Sequence, residues 1–179
     1  MLDVQQFVAD CRSALAEPDR VGALREALHR VGERPDDVIA AVGEPQRGGV
    51  YALHHAPDLT VLNVVWTPGM TLAPHDHKMT AAIAVYAGKE ENSFFRRAGD
   101  RIEAAGGREV GLGDVLLLGD DAIHAVHGDD DHYTGAIHVY AGDFFNRDRA
   151  VWHFDGSSDL DPPGIDEAFA QAEAERRAR

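Results

Sequence analysis

The chain has 179 residues, 44% of them hydrophobic and 27% charged, with a formal net charge of -14. That length fits one domain able to bury a core without staples, and the single cysteine, Cys11, excludes an intrachain disulfide framework and any cysteine-rich metal site. The negative charge, with no compact Lys/Arg block to offset it, opposes nucleic acid and anionic membranes as partners. The N-terminal stretch MLDVQQFVADCRSALAEPD lacks the basic-then-apolar order of a signal peptide, and no window approaches the roughly eighteen apolar residues of a spanning helix. A mature cytoplasmic protein is therefore expected.

Two helices are predicted first, over residues 3–16 and 18–31. Phe7, Val8, Cys11 and Leu15 follow a helical period, and Pro18 suits a first-turn position. A shorter helix is predicted over Pro35–Val42, closed by Gly43 and Pro45. From Gly48 the pattern changes to short runs of Val, Ile, Leu and Tyr broken by Gly, Pro or Asp, which predict strands over 50–54, 59–66, 82–86, 92–97, 101–104, 115–118, 125–127 and 135–140. Such a set predicts a mainly β fold, a jelly roll or barrel. The tail predicts a last helix over 166–179, docked by Phe169. The expected division is a helical segment, 1–47, packed on a barrel, 48–155, followed by a tail and helix, 156–179, all within one domain.

The chemistry is carried by histidines. In PGMTLAPHDHKM, His75 and His77 stand two apart between strands, and residues two apart on an extended chain project from one face. In GDVLLLGDDAIHAV, a turn at Gly113 and Asp114 and a buried strand lead to His124, a third nitrogen ligand. Three imidazoles on one side of a metal leave the other positions open, the layout of a catalytic rather than a structural site. Asp76 points away from such a metal and reads as a turn residue, and His127, three residues after His124, faces outward. His29, His54, His55, His132 and His153 lack partners at ligand spacing.

These two segments resemble the two cupin motifs: Gly69, His75, His77 and Gly88 match the first, Gly113 and His124 the second. The resemblance implies a cupin double-stranded β-helix with N-terminal helices and a short C-terminal helix. The chain departs from the motifs at Ala81, where a ligand Glu stands in many cupins, and at Gly119 and Gly128, which replace a Pro and an Asn. Without the Glu, three neutral imidazoles leave a divalent ion with its full charge. This is the arrangement of the thiol dioxygenases, the cysteine and mercaptopropionate dioxygenases, which bind Fe(II).

The segment TGAIHVYAGD is similar to their Ser-x-His-x-Tyr element, with Ala136 in place of the Ser, followed by His138 and Tyr140. Alternation places all three on one strand face. A small residue, Ala82, falls where the mammalian enzymes carry a crosslinking cysteine. The resemblance implies catalytic roles for Tyr140 and His138, and Arg149, nine residues after Tyr140, lies about where mercaptopropionate dioxygenase binds its substrate carboxylate. Arg96 and Arg97 are further candidates, one of which could point inward. The expected reaction is Fe(II)-dependent oxidation of a small thiol-carboxylate by O2. Ni, Zn or Mn in an isomerase or hydrolase, and a non-catalytic metal- or ligand-binding cupin, stay open, as does a homodimer formed through strand edges or N-terminal segments.

Overall fold

The computed structural model describes residues 1–178. Three helices come first: α1 (Val4–Ala16), α2 (Arg20–Gly32) and α3 (Pro35–Val42). The Asp3 carboxylate accepts from the Gln6 N–H and the Asp19 carboxylate from the Gly22 N–H, capping α1 and α2. Pro18 therefore lies one residue before the Asp19 cap, outside the helix, where the sequence reading had placed it in the first turn.

Eleven strands follow: β1 (Gly49–His55), β2 (Thr60–Trp66), β3 (Thr71–Asp76), β4 (Ala81–Ala87), β5 (Lys89–Ala98), β6 (Arg101–Gly111), β7 (Val115–Leu118), β8 (Ile123–Gly128), β9 (Thr134–Tyr140), β10 (Val151–Trp152) and β11 (Ser158–Asp159). They form two antiparallel sheets, in the orders β1-β2-β9-β4-β7 and β11-β10-β3-β8-β5-β6. The sheets close face to face on a shared apolar interior, the double-stranded β-helix expected from the motifs. The chain ends in α4 (Ile165–Ala178).

Alternation decides which residues fill which layer. In β2, β4 and β9, Leu62, Val64, Ile83, Val85 and Ala136 face the barrel interior. Their neighbours Val61, Ala82, Ala84, Ile137 and Val139 face outward, against Phe7, Cys11, Leu24, Leu28 and Val38 of the helices. The five-stranded sheet is thus buried on both faces, which is why its central strands read as unbroken apolar runs. Cys11 is fully buried in this outer layer, and burial pushes its thiol up to about 12, leaving it unreactive.

Three strands were not foreseen. Pro74 made β3 read as a loop, yet the β3–β8 pairing shifts register between Leu72 and His75, so the proline falls at an irregularity and the ladder resumes at His75. The two-residue strands β10 and β11 carry too little pattern to detect. In addition β6 runs to Gly111, well past the predicted end, because it pairs along the whole of β5 despite its glycines. Gly88, a motif glycine, has φ of 66°, and a Cβ there would meet the Tyr133 carbonyl oxygen at 2.7 Å, so both backbone and space exclude a side chain.

At the C-terminus Phe169 and Ala172 are buried, and the Phe169 ring stacks on Trp66 with centroids 5.0 Å apart. The expected docking of Phe169 is observed. No helix among the described residues is long and apolar enough to cross a membrane. Leu28 is fully buried between the helical layer and the sheet. Leu28→Ala should lower the unfolding free energy by about 3 kcal/mol, from lost transfer energy and the cavity left behind, read by urea titration of the full chain; a loss below about 1 kcal/mol would contradict this packing.

Candidate metal centre

His75 lies near the end of β3, His77 just beyond it, and His124 pairs directly with His75 across the β3–β8 ladder. Lys78, with φ of 51°, takes the left-handed conformation and turns the chain immediately after His77. The three imidazoles converge, each offering a ligand nitrogen within 4.8 Å of the others. All three are buried in the barrel, with ring centroids 4.7 to 5.1 Å apart.

Their protonation is set by hydrogen bonds and by the absence of water. The His75 Nδ1–H donates to the Ala73 carbonyl at 2.9 Å, and the His124 Nδ1–H donates to Asn92 Oδ1 at 2.7 Å. Both rings therefore hold Nε2 as a lone pair. His124 Nε2 is buried with no hydrogen-bond partner, an orphan that a metal would satisfy. Burial pushes His75 down to about 4, and burial with mutual repulsion holds His77 and His124 well below the ordinary histidine range. Neutral nitrogens aimed at one point fit a divalent transition metal, and His75, His77 and His124 can hold it.

Opposite them stands β9. Ala136, His138 and Tyr140 are buried on its inner face, and the Tyr140 hydroxyl and His138 Nδ1 share a hydrogen bond of 3.0 Å. His138 Nε2 is buried with no hydrogen-bond partner. Burial lowers His138 to about 3 and raises Tyr140, so both stay neutral near pH 7. Tyr140 pairs across the sheet with Ala81, the position of the missing Glu, and its ring lies 5.1 Å from His77 and 4.3 Å from Phe144.

The three candidate arginines separate. Arg149 places its Cζ 4.4 Å over the Phe144 ring and lines the same cavity as the histidines. Among the described residues it has no ion-pair partner. Arg96 is exposed and pairs with Glu103 at 3.1 Å, while Arg97 crosses the outer face to Asp76 at 2.9 Å and lies 4.9 Å from the centre of the Trp152 ring. Neither lines the histidine cavity.

Asp76 does point away from the metal site, but it is a buried strand residue rather than a turn residue. Besides Arg97, its carboxylate accepts the Ala150 N–H at 2.8 Å, while its own N–H donates to the Ala150 carbonyl at 3.1 Å. This clamp fixes the residue after Arg149 beside His75, and so holds Arg149 at the cavity. His127 is half-buried and bonds Thr71 and Asp130, on the face opposite His124. The cavity at the histidines has a volume of about 20 Å³, enough for one water. His75 and Arg149 also border a crevice of about 810 Å³ between β3 and α4.

Sequence reasoning missed Asn92 and the buried Glu90, whose Oε1 accepts from Asn92 Nδ2 at 3.0 Å. The stretch KEENS is polar on both faces, so alternation there gives no sign of which side is buried.

No family model matches the chain. Among solved structures it is similar to the DMSP lyase DddQ of Ruegeria pomeroyi, at 18% identity and a TM-score of 0.52, covering 83% of this chain and 95% of that one. It is also similar to a Bacillus halodurans protein at 15% identity and a TM-score of 0.52, covering 79% and 90%. A Klebsiella pneumoniae protein with a double-stranded β-helix domain matches at 16% identity and a TM-score of 0.49, covering 63% and 87%. The likenesses to the Ruegeria and Bacillus proteins show a shared fold.

Two outcomes follow for the metal-free protein. Asp76→Ala removes two hydrogen bonds to a buried carboxylate and should cost about 2 kcal/mol in urea unfolding, with a cost under 0.5 kcal/mol arguing against the clamp. The buried histidines have folded pKa values depressed below the unfolded 6.5, so their stabilising effect is full above about pH 6.5 and is lost as pH falls. For His75, losing it between about pH 6.5 and 4 amounts to roughly 3 kcal/mol. Thermal melts from pH 8 to 4 should show a steep acid loss, and a flat profile would contradict neutral burial.

Proposed function

We propose that the chain is an Fe(II)-dependent dioxygenase that oxidises a small thiol-carboxylate to a sulfinate, in the cytoplasm, with O2 as co-substrate. The observation that carries this reading is a buried set of three neutral imidazoles with no acidic ligand, sharing one cavity with the unpaired Arg149. Iron, when bound by His75, His77 and His124, supplies the redox chemistry by which a thiolate and O2 become a sulfinate.

The chain's own residues set the conditions. With Ala81 where a carboxylate ligand would stand, a divalent ion held by the three neutral imidazoles would keep its full charge and favour a thiolate over a neutral thiol. Arg149 adds a fixed guanidinium suited to a carboxylate, and its stacking on Phe144 limits where it can reach. Tyr140, kept protonated by burial, retains a hydroxyl for the substrate or oxygen side of the cavity, and His138 fixes its direction. Phe144 and Phe169 line the cavity and exclude bulk water.

The lyase named among the similar folds marks the rival outcome.

The test begins with metal analysis of protein purified without added metal, then anaerobic Fe(II) loading and oxygen uptake over a panel of thiol-carboxylates. Uptake with sulfinate formation is expected. Tyr140→Phe should lower kcat about 100-fold, and Arg149→Gln should raise KM at least tenfold for substrates bearing a carboxylate and little for those without. No uptake with any thiol, together with DMSP cleavage or activity supported only by Zn, Ni or Mn, would overturn the reading.

A further inference from the structure

Glu90 is a buried carboxyl on the inner side of the barrel that the proposed reaction does not use. It is fully buried, with 0% of its surface exposed, on the inner face of β5. Its cross-strand neighbours, Val110 and Gly128, carry no charge. Lys89, next to it, points outward and pairs with Glu109. The Trp66 indole N–H lies near the carboxyl without forming a directed hydrogen bond, so Glu90 Oε2 and Trp66 Nε1 both lack a partner. Tyr140, on β9, senses the Glu90 charge at longer range. Among the described residues no cation faces Glu90, which distinguishes it from a structural ion pair.

Its connection leads to the histidines. Glu90 Oε1 accepts from Asn92 Nδ2 at 3.0 Å, and Asn92 Oδ1 accepts from His124 Nδ1 at 2.7 Å. The amide can serve both bonds only in this orientation, so Glu90 decides which way Asn92 points and Asn92 decides which tautomer His124 adopts. A carboxylate at the far end pulls positive charge along the chain of dipoles and makes His124 Nε2 a stronger donor.

We propose that Glu90 is a positioning residue for the metal, acting through Asn92 to orient His124 and to supply, two hydrogen bonds away, the negative charge that the three-imidazole ligand set lacks. The proposal rests on the metal reading of His75, His77 and His124. A ligand carboxylate would cancel half the ion's charge outright and close a coordination position. A remote one offsets the charge and leaves the position open for substrate.

The experiment measures Co(II) affinity of the full chain by chelator competition, with the visible spectrum of the bound ion as a second readout. Glu90→Gln keeps the shape and the acceptor for Asn92 but removes the charge. At pH 8 it should weaken Co(II) binding about tenfold, a typical effect of losing a partner behind a ligand. Burial pushes Glu90 up to about 7, so the ratio of variant to wild-type Kd should shrink towards one at pH 6, where the carboxyl is protonated in wild type. Asn92→Ala should weaken binding at least as much, and adding Glu90→Gln to it should change little, because the path is already cut. Should Glu90→Gln not fold, Asn92→Asp places a carboxylate directly on His124 and should tighten Co(II) binding at pH 6 relative to wild type. Wild-type binding that survives unchanged in Glu90→Gln at pH 8, or an Asn92→Asp variant with wild-type affinity, would overturn the relay while leaving the metal site intact. Failure of the wild type to bind Co(II) would instead remove the metal reading and the relay together.

Discussion

The interior of the barrel is too dry to hold a charged imidazole. Four histidines, His75, His77, His124 and His138, are buried there with no carboxylate in hydrogen-bonding contact, and desolvation keeps each of them neutral. Much of the surrounding detail serves that condition. Ala73 and Asn92 take the Nδ1 protons, so that the lone pairs of His75 and His124 turn the other way. The cluster leaves His124 Nε2 buried without a partner, a cost that a bound cation would remove.

The two sheets contribute unlike halves to this site. His75 and His124 come from the six-stranded sheet, and the Tyr140–His138 pair comes from the five-stranded one, so the converging imidazoles face a hydroxyl across the barrel. The helices brace the second sheet from outside, which makes the Tyr140 wall the more deeply buried of the two. Arg149 belongs to neither wall. It is delivered by the segment between β9 and β10, whose backbone Asp76 pins to β3 directly beside His75.

How much of this the amino-acid order discloses depends on whether a feature is local. His75, His77 and His124 announce themselves by spacing within motifs, and β4, β7 and β9 by apolar runs, because both signals lie within a few residues. The strand carrying His75 did not, since Pro74 reads as a break until the shifted pairing with β8 is known. Asp76 looked like a turn residue for the same reason: its partners, Arg97 and Ala150, lie 21 and 74 residues away in sequence. Glu90 and Asn92 were invisible in a stretch polar on both faces. Arg96 and Arg97 could be told apart only once the rim of the sheet, Glu103 and Trp152 were placed.

The stacking of Phe169 on Trp66 carries a consequence for traffic. The space beside the imidazoles admits one water, whereas the crevice along α4 is some forty times larger and meets it at His75 and Arg149. A ligand bigger than water must therefore displace aromatic or aliphatic side chains on its way in, and Ile165 and Phe169 of the terminal helix, which line that space, are among those it would meet.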